Sequence, residues 1–255
     1  MPRRGPDKGT SFQWPMRTSR RPTGATRELS DIMQGQNPRL TCDCMWDFTG
    51  NAANYLIGNA GTLTAITTGT PTGAAQVANT ANGEASFTLA ITNEAEFSGV
   101  SWADELQIPA SREFYLEAYF KMPALALSSV EDIVIGLATA YNSTLASTTK
   151  YVWMRMSGSN VVIVEGKDGT TTNLATATSP STTLTAATYY LFTIDATSGP
   201  GKIKFFIDDN QVATLAQSAF AATDVLQPLV GVRKASGTTV TALTLDFLRV
   251  FWSRL

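Results

Sequence analysis

Chemistry near neutral pH most often begins with histidine, and this 255-residue chain has none. Without an imidazole there is no Ser-His-Asp or Cys-His relay, and no imidazole ligand for a metal. Carboxylates are the remaining acids and bases. Glu94 and Glu96 stand two apart, in a short polar run that reads as a loop with both groups in water. Glu131 and Asp132 are adjacent, so on a strand they would point to opposite faces. Paired-carboxylate catalysis is therefore not expected. Asp208-Asp209-Asn210 offers the oxygen ligands that calcium takes. The same three residues suit a hairpin turn, because Asp and Asn tolerate left-handed dihedrals and bond their own backbone. The turn is the expectation and calcium the weaker candidate; Lys167-Asp168-Gly169 poses the same choice. No glycine-rich phosphate loop ending in Lys-Ser/Thr is present. The residues lead to a chain that is not an enzyme and needs no cofactor.

Binding chemistry has more to draw on. Trp102 and Trp153, with Tyr115 and Tyr119, are the aromatic candidates for stacking on a sugar. The two tyrosines and Trp153 fall within strand-like runs, where packing on a sheet competes with that role. Charge is unevenly spread. Residues 1–40 hold eight Lys/Arg against three acids, a net +5, which leaves −7 on the rest. Arg17, Arg20 and Arg21, beside Phe12 and Trp14, would either pair with acids on a neighbouring protein around two apolar anchors or meet nucleic-acid phosphates. A protein surface is the expected partner, and nucleic acid is not. Cys42 and Cys44, one residue apart, would strain a mutual bridge and make an incomplete metal site. They read as free thiols in a reducing compartment. No apolar run after Met1-Pro2-Arg3-Arg4 reads as a secretory signal, and no stretch approaches the roughly 20 apolar residues of a membrane helix.

These residues must be positioned by strands. Residues 1–40 lack hydrophobic periodicity, carry five prolines and are expected to form an extended basic arm, with a boundary near Gln36–Arg39. Residues 41–255 are expected to form one domain. Glu113 to Met122 alternates, with Phe114, Leu116, Ala118 and Phe120 on one face and Tyr115, Glu117, Tyr119 and Lys121 on the other. Ile133 to Ala138 is apolar throughout, as in a strand covered on both faces. Tyr151–Met156 and Val161–Glu165 flank Ser157-Gly158-Ser159-Asn160, a hairpin signature. Tyr189–Asp195, Lys202–Ile207, Gln211–Leu215, Pro228–Arg233 and Val240–Trp252 are further strands, separated by polar and glycine breakers. Short helical turns are expected over Ser101–Glu105 and within Ala216–Asp224. A dozen strands and no long amphipathic helix predict an all-β fold, a two-sheet antiparallel β-sandwich of the jelly-roll kind.

The succession Glu113-Phe-Tyr-Leu-Glu-Ala-Tyr-Phe-Lys, Ile133-Val-Ile-Gly-Leu, Tyr189-Tyr-Leu-Phe-Thr-Ile-Asp, Lys204-Phe-Phe-Ile-Asp-Asp-Asn-Gln-Val and Leu245-Asp-Phe-Leu-Arg-Val resembles the concanavalin A-like lectin/glucanase and laminin-G-like jelly rolls, over about residues 45–252. That resemblance implies a hairpin at Asp208-Asp209 and a closing strand through Leu245–Val250. Glycosidases of this fold carry a Glu-x-Asp-x-x-Glu signature, and no Glu-x-Asp occurs in this chain. The basic arm, the Ala/Thr/Gly-rich body and the absence of histidine look like a tailed-bacteriophage structural protein. The expectation is a virion protein, a capsid decoration or cement protein. It would be made in the host cytoplasm, sit at the capsid surface, bind the major capsid protein or another virion protein through its arm, and form dimers or trimers. The alternative is a carbohydrate-binding, lectin-like module of a fibre or host-attachment protein.

Overall fold

The computed structural model describes residues 41–47, 63–77, 83–102, 107–169, 182–197, 203–215 and 220–253. The arm residues Phe12, Trp14, Arg17, Arg20 and Arg21 and the boundary near Gln36–Arg39 lie outside them. The described residues form fifteen strands: β1 (Thr41–Asp47), β2 (Thr64–Thr68), β3 (Gly73–Gln76), β4 (Ala85–Thr88), β5 (Glu96–Ser101), β6 (Ile108–Pro109), β7 (Phe114–Lys121), β8 (Glu131–Ala138), β9 (Lys150–Ser157), β10 (Val162–Asp168), β11 (Tyr189–Asp195), β12 (Ile203–Ile207), β13 (Asn210–Leu215), β14 (Val225–Lys234) and β15 (Ala242–Ser253). Their pairings are antiparallel and make two sheets. One sheet has eight strands in the order β13-β12-β11-β7-β15-β4-β3, with β1 also on β15; the other has seven, β10-β9-β8-β14-β5-β2, with β6 on β14. The expected two-sheet antiparallel sandwich is what the chain forms.

Residue patterns explain the layers. β7 alternates buried and half-buried along its whole length, so Phe114, Leu116, Ala118 and Phe120 face the core and its tyrosines face outward. The core between the sheets takes these together with Ile133, Ile135 and Leu137 of β8, Val152, Met154 and Met156 of β9, and Leu243, Leu245, Leu248 and Val250 of β15. Each large side chain there contributes about 1.5–3 kcal/mol of burial. β8 is buried on both faces, as its unbroken apolar run requires. Leu245 pairs with Phe120 and Phe247 with Tyr119, so Asp246 is the extra residue of a β-bulge in the closing strand.

Asp208 and Asp209 adopt φ of 48° and 65° between Ile207 and Asn210, which pair directly. Two successive left-handed residues make the mirror-image turn that joins twisted strands. The Asp208 carboxylate accepts from the Leu191 amide at 2.9 Å, and the Asn210 side-chain amide donates to the Asp208 carbonyl at 3.1 Å. These groups form the turn expected of them. Among the described residues no group of three or more His, Cys, Asp or Glu is placed to hold a metal.

Two expectations need correction. Ser101 ends the strand β5 rather than opening a helical turn, and 103–106 lie outside the described residues. β5, Glu-Phe-Ser-Gly-Val-Ser, has no hydrophobic period because it is buried on both faces and lies under aromatic rings. Trp102 offers no face to a sugar. It is fully buried, with its ring 5.3 Å from Trp46 and 5.7 Å from Trp252, in a cluster that ties the loop after β5 to the terminal strands.

Candidate functional site

The outer face of the seven-stranded sheet is where charged side chains converge. Alternation sends Val152, Met154 and Met156 of β9 into the core, so Tyr151, Trp153 and Arg155 stand on the opposite face. By the same rule β8 turns Asp132 and Val134 outward, β10 turns Ile163, Glu165 and Lys167, and β14 turns Leu229 and Arg233. Cross-strand pairing sets Glu165 opposite Trp153, Asp132 opposite Ser157 and Arg233 opposite Asp132.

The floor of this face is unusually low. Gly99, Gly136 and Gly231 occupy outward positions on β5, β8 and β14. A Cβ on Gly231 would stand 2.5 Å from the Phe97 ring and 2.7 Å from the Ser98 carbonyl oxygen. A Cβ on Gly136 would stand 2.5 Å from Trp153 Cβ. The missing side chains let aromatic rings lie down on the sheet. Phe97, Trp153, Tyr151, Val134, Leu229 and Leu145 form a second apolar cluster there, with Tyr141 packed against it. The segment 139–149 crosses this part of the face. Its Tyr141 ring lies 4.3 Å from Phe97, its Tyr141 hydroxyl pairs with the Thr68 hydroxyl at 2.9 Å, and its Ser143 carbonyl accepts from Arg233 Nε at 2.7 Å.

Beside the covered part, four charges alternate. Arg233 Nη1 donates to Asp132 Oδ2 at 2.9 Å, and Arg155 Nη2 donates to Glu165 Oε1 at 2.8 Å. Trp153 Nε1 donates to the other Glu165 oxygen at 2.6 Å, and its ring stacks on Tyr151 at 3.6 Å. Arg155 Nη1 stands 3.9 Å from Asp132 Oδ1, an ion pair too long for a hydrogen bond. Asp132 Oδ1 and Arg155 Nε are both buried and have no hydrogen-bond partner among the described residues. An orphaned acceptor and an orphaned donor thus sit in one charged cluster, an arrangement that native interiors rarely leave unsatisfied. The cluster is not sealed, since the Arg155 side chain is 21% exposed. Two carboxylates bracketing one guanidinium can orient hydroxyl groups, which donate and accept at the same oxygen.

Sequence reasoning did not find this quartet. It separated Glu131 from Asp132 correctly: Glu131 turns inward to accept from the Thr241 hydroxyl and the Ser128 amide, while Asp132 faces out. It did not pair Asp132 with Glu165, thirty-three positions away. The usable signal was period two, with Arg155, Glu165 and Lys167 on one side of strands whose other side is Val and Met. Trp153 is brought to the site, but it is 1% exposed and serves Glu165 rather than offering its ring. Of the two carboxylates expected in water, Glu94 is at the surface in a loop and Glu96 is not. Glu96 is 1% exposed on β5, where it accepts from the Ala90 amide at 2.8 Å. Lys234 Nζ stands 3.4 Å from that carboxylate and donates to the Ala90 and Thr92 carbonyls at 2.5 and 2.7 Å. Glu94 is held below the usual carboxylate range chiefly by the Thr70 hydroxyl.

The other aromatic candidates stand on the outer face of the eight-stranded sheet. Tyr119 stacks between Tyr189 at 5.3 Å and Phe247 at 5.9 Å, and Tyr115 donates to Glu117 at 2.6 Å. Tyr119 thus has a ring on either side of it, and the Lys121 ammonium stands 5.3 Å from the centre of the Tyr189 ring. No helix among the described residues is long and apolar enough to cross a membrane.

No family model matches this chain, and no curated protein does. Solved structures do match. An endo-β-1,4-glucuronan lyase from Trichoderma reesei superposes with a TM-score of 0.52 at 14% identity, over 81% of this chain and 93% of that one. A prokaryotic β-1,3-1,4-glucanase (lichenase) from a mouse hindgut metagenome gives 0.52 at 8% identity, over 84% and 100%. A botulinum neurotoxin type C structure, described by its interaction with two ganglioside molecules, gives 0.51 at 8% identity over 82% of this chain and 47% of that one. At these identities the likeness is one of fold, and that fold is the concanavalin A-like jelly roll implied by the sequence. The expectation of a chain that is not an enzyme is overturned here. The sandwich it adopts is one on which polysaccharide-cleaving sites are built, and a missing histidine leaves carboxylate chemistry open. The expectation of a capsid decoration protein draws no support from the structures named.

Proposed function

We propose that this protein binds a saccharide on the outer face of its seven-stranded sheet, over Asp132, Arg155, Glu165 and Arg233. The observation that carries this reading is the orphaned pair in that quartet, Asp132 Oδ1 and Arg155 Nε, both buried beside a partly exposed guanidinium. Buried polar atoms without partners cost about 1–3 kcal/mol each. A ligand that both donates and accepts removes that cost when a rotation of Arg155 admits it. Sugar hydroxyls are such ligands, and the carbohydrate-directed names on this fold favour them further.

A second reading, cleavage of the bound chain, is favoured by one feature of the same cluster. Asp132 and Glu165 reach the same guanidinium from two strands, which provides two carboxylates on one ligand-facing surface. The test is binding of the purified protein to a panel of polysaccharides, neutral and acidic, followed by an assay for new chain ends. Saccharide binding lost in Arg155→Ala, with the fold retained by circular dichroism, is the expected result. Retained binding in that variant, or binding to no polysaccharide of the panel, refutes the site. New chain ends that vanish in Glu165→Gln and Asp132→Asn establish cleavage; binding without new ends refutes it.

A further inference from the structure

The quartet is neutral as a set, but it is not neutral to a ligand. Its carboxylates lie inward. Glu165 has both oxygens hydrogen-bonded, and Asp132 accepts from Arg233 with one oxygen while the other, without a hydrogen bond among the described residues, stands 3.9 Å from Arg155 Nη1. Their side chains are 10% and 9% exposed, whereas those of Arg155 and Arg233 are 21% and 16% exposed. Lys167, half-buried on the same face of β10, adds a third cation, which donates to the Thr148 carbonyl at 3.3 Å and has no ion pair among the described residues. Lys167 lies opposite Tyr151, four residues along β9 from Arg155, which is roughly 13 Å along the strand. The face thus presents a line of cations with acids set beneath it, on a body whose residues outside the arm carry −7.

We infer that the saccharide is anionic, a chain of uronic acid residues, with carboxylates over Arg155–Arg233 at one end and Lys167 at the other. This rests on the saccharide reading of the same face. Guanidinium forks suit planar carboxylates because two parallel N–H groups meet two oxygens. A local positive strip on an acidic body also supplies selectivity, since the surrounding charge repels acidic chains that do not reach it.

The experiment compares a short glucuronate oligosaccharide with a neutral β-glucan oligosaccharide of the same length, by calorimetry at low and high salt. Tighter binding of the uronide by about tenfold or more, an advantage that shrinks as salt rises, is the expected result. Lys167→Glu reverses one charge at a half-buried position that holds no part of the core, so the variant is expected to fold. It should weaken uronide binding about tenfold, by much more than it alters binding of the neutral oligosaccharide. Equal or tighter binding of the neutral chain, or an unaltered uronide affinity in Lys167→Glu, overturns the anionic assignment while leaving the saccharide site standing. Binding of neither oligosaccharide overturns both.

Discussion

The hydrogen bond from Trp153 to Glu165 ties the apolar cluster of the outer face to its charges, and its energy is open to measurement. At 2.6 Å, between two residues that are both buried, it is a charge-assisted bond shielded from water. Such bonds contribute about 1.5–3 kcal/mol. Trp153→Phe removes the donor and keeps an aromatic ring against Tyr151. It also leaves a void where the larger indole was, and that adds a cavity penalty of about 1–2 kcal/mol unrelated to the bond. The single variant therefore cannot isolate the interaction. A double-mutant cycle with Glu165→Met can, because the void appears on both sides of the cycle and cancels. So does the loss of the Arg155 partner. The coupling expected from urea unfolding followed by far-ultraviolet circular dichroism is about 2 kcal/mol. A coupling below about 0.5 kcal/mol would mean that the carboxylate is not held by the indole, and that Trp153 is there only to fill the glycine-floored depression.

Three further outcomes are expected. The Tyr189 hydroxyl donates to Glu84, and this bond, with burial and the nearby Glu84 and Asp246 charges, pushes its pKa up to about 12. A folded value above the unfolded one gives stability that is present below about pH 10 and is lost as pH rises through 12. Ultraviolet titration of the protein against Tyr189→Phe reads that phenol out of seven tyrosines, and Glu84→Gln should bring it back toward the ordinary tyrosine value. Gly231→Ala should cost about 2 kcal/mol or more, because the added Cβ meets Ser98 O and Gly99 Cα at 2.7 and 2.8 Å, backbone atoms that cannot rotate away. An unchanged denaturation midpoint would sink the argument for a low floor. Ala187, at φ 56°, occupies left-handed space without being glycine. Ala187→Gly relieves about 1–2 kcal/mol of strain against about 0.5–1 kcal/mol of added chain entropy, so a small gain in melting temperature is expected, and a loss would show that the turn is not strained.

Much of the fold could be read from local pattern, because strands announce themselves by alternation and turns by residue type. β7 needed only its period of two, and Asp208-Asp209-Asn210 only its turn chemistry. β5 could not be read that way. A strand with a glycine and two serines, buried on both faces, carries no local period, and its place is set by pairing with β14 on one side and β2 on the other. The site was illegible for a related reason. Asp132, Arg155, Glu165 and Arg233 come from four strands, and what joins them is cross-strand register, which a linear motif does not encode. Trp153 shows the limit of residue type as a guide. An exposed aromatic and a buried indole bonded to a carboxylate look alike in sequence, and only Gly136 opposite it in the register hints that the ring lies down.

The same register bears on where function resides. A sheet face built only for stability would fill its outward positions with threonines and solvated charges, as antiparallel edges do. Here three outward positions are glycine, and each glycine weakens a strand by about 0.5–1 kcal/mol relative to alanine. Those glycines admit Phe97 and Trp153 close to the backbone, Trp153 holds Glu165, Glu165 holds Arg155 Nη2, and Arg155 Nη1 stands 3.9 Å from Asp132 Oδ1. The glycines give up some strand stability, and the charge-assisted bonds they make room for set the geometry of the cluster. The outer face of the seven-stranded sheet, rather than the hairpin at Asp208-Asp209, is therefore where the proposed saccharide is expected to bind, because charged groups from four strands converge there.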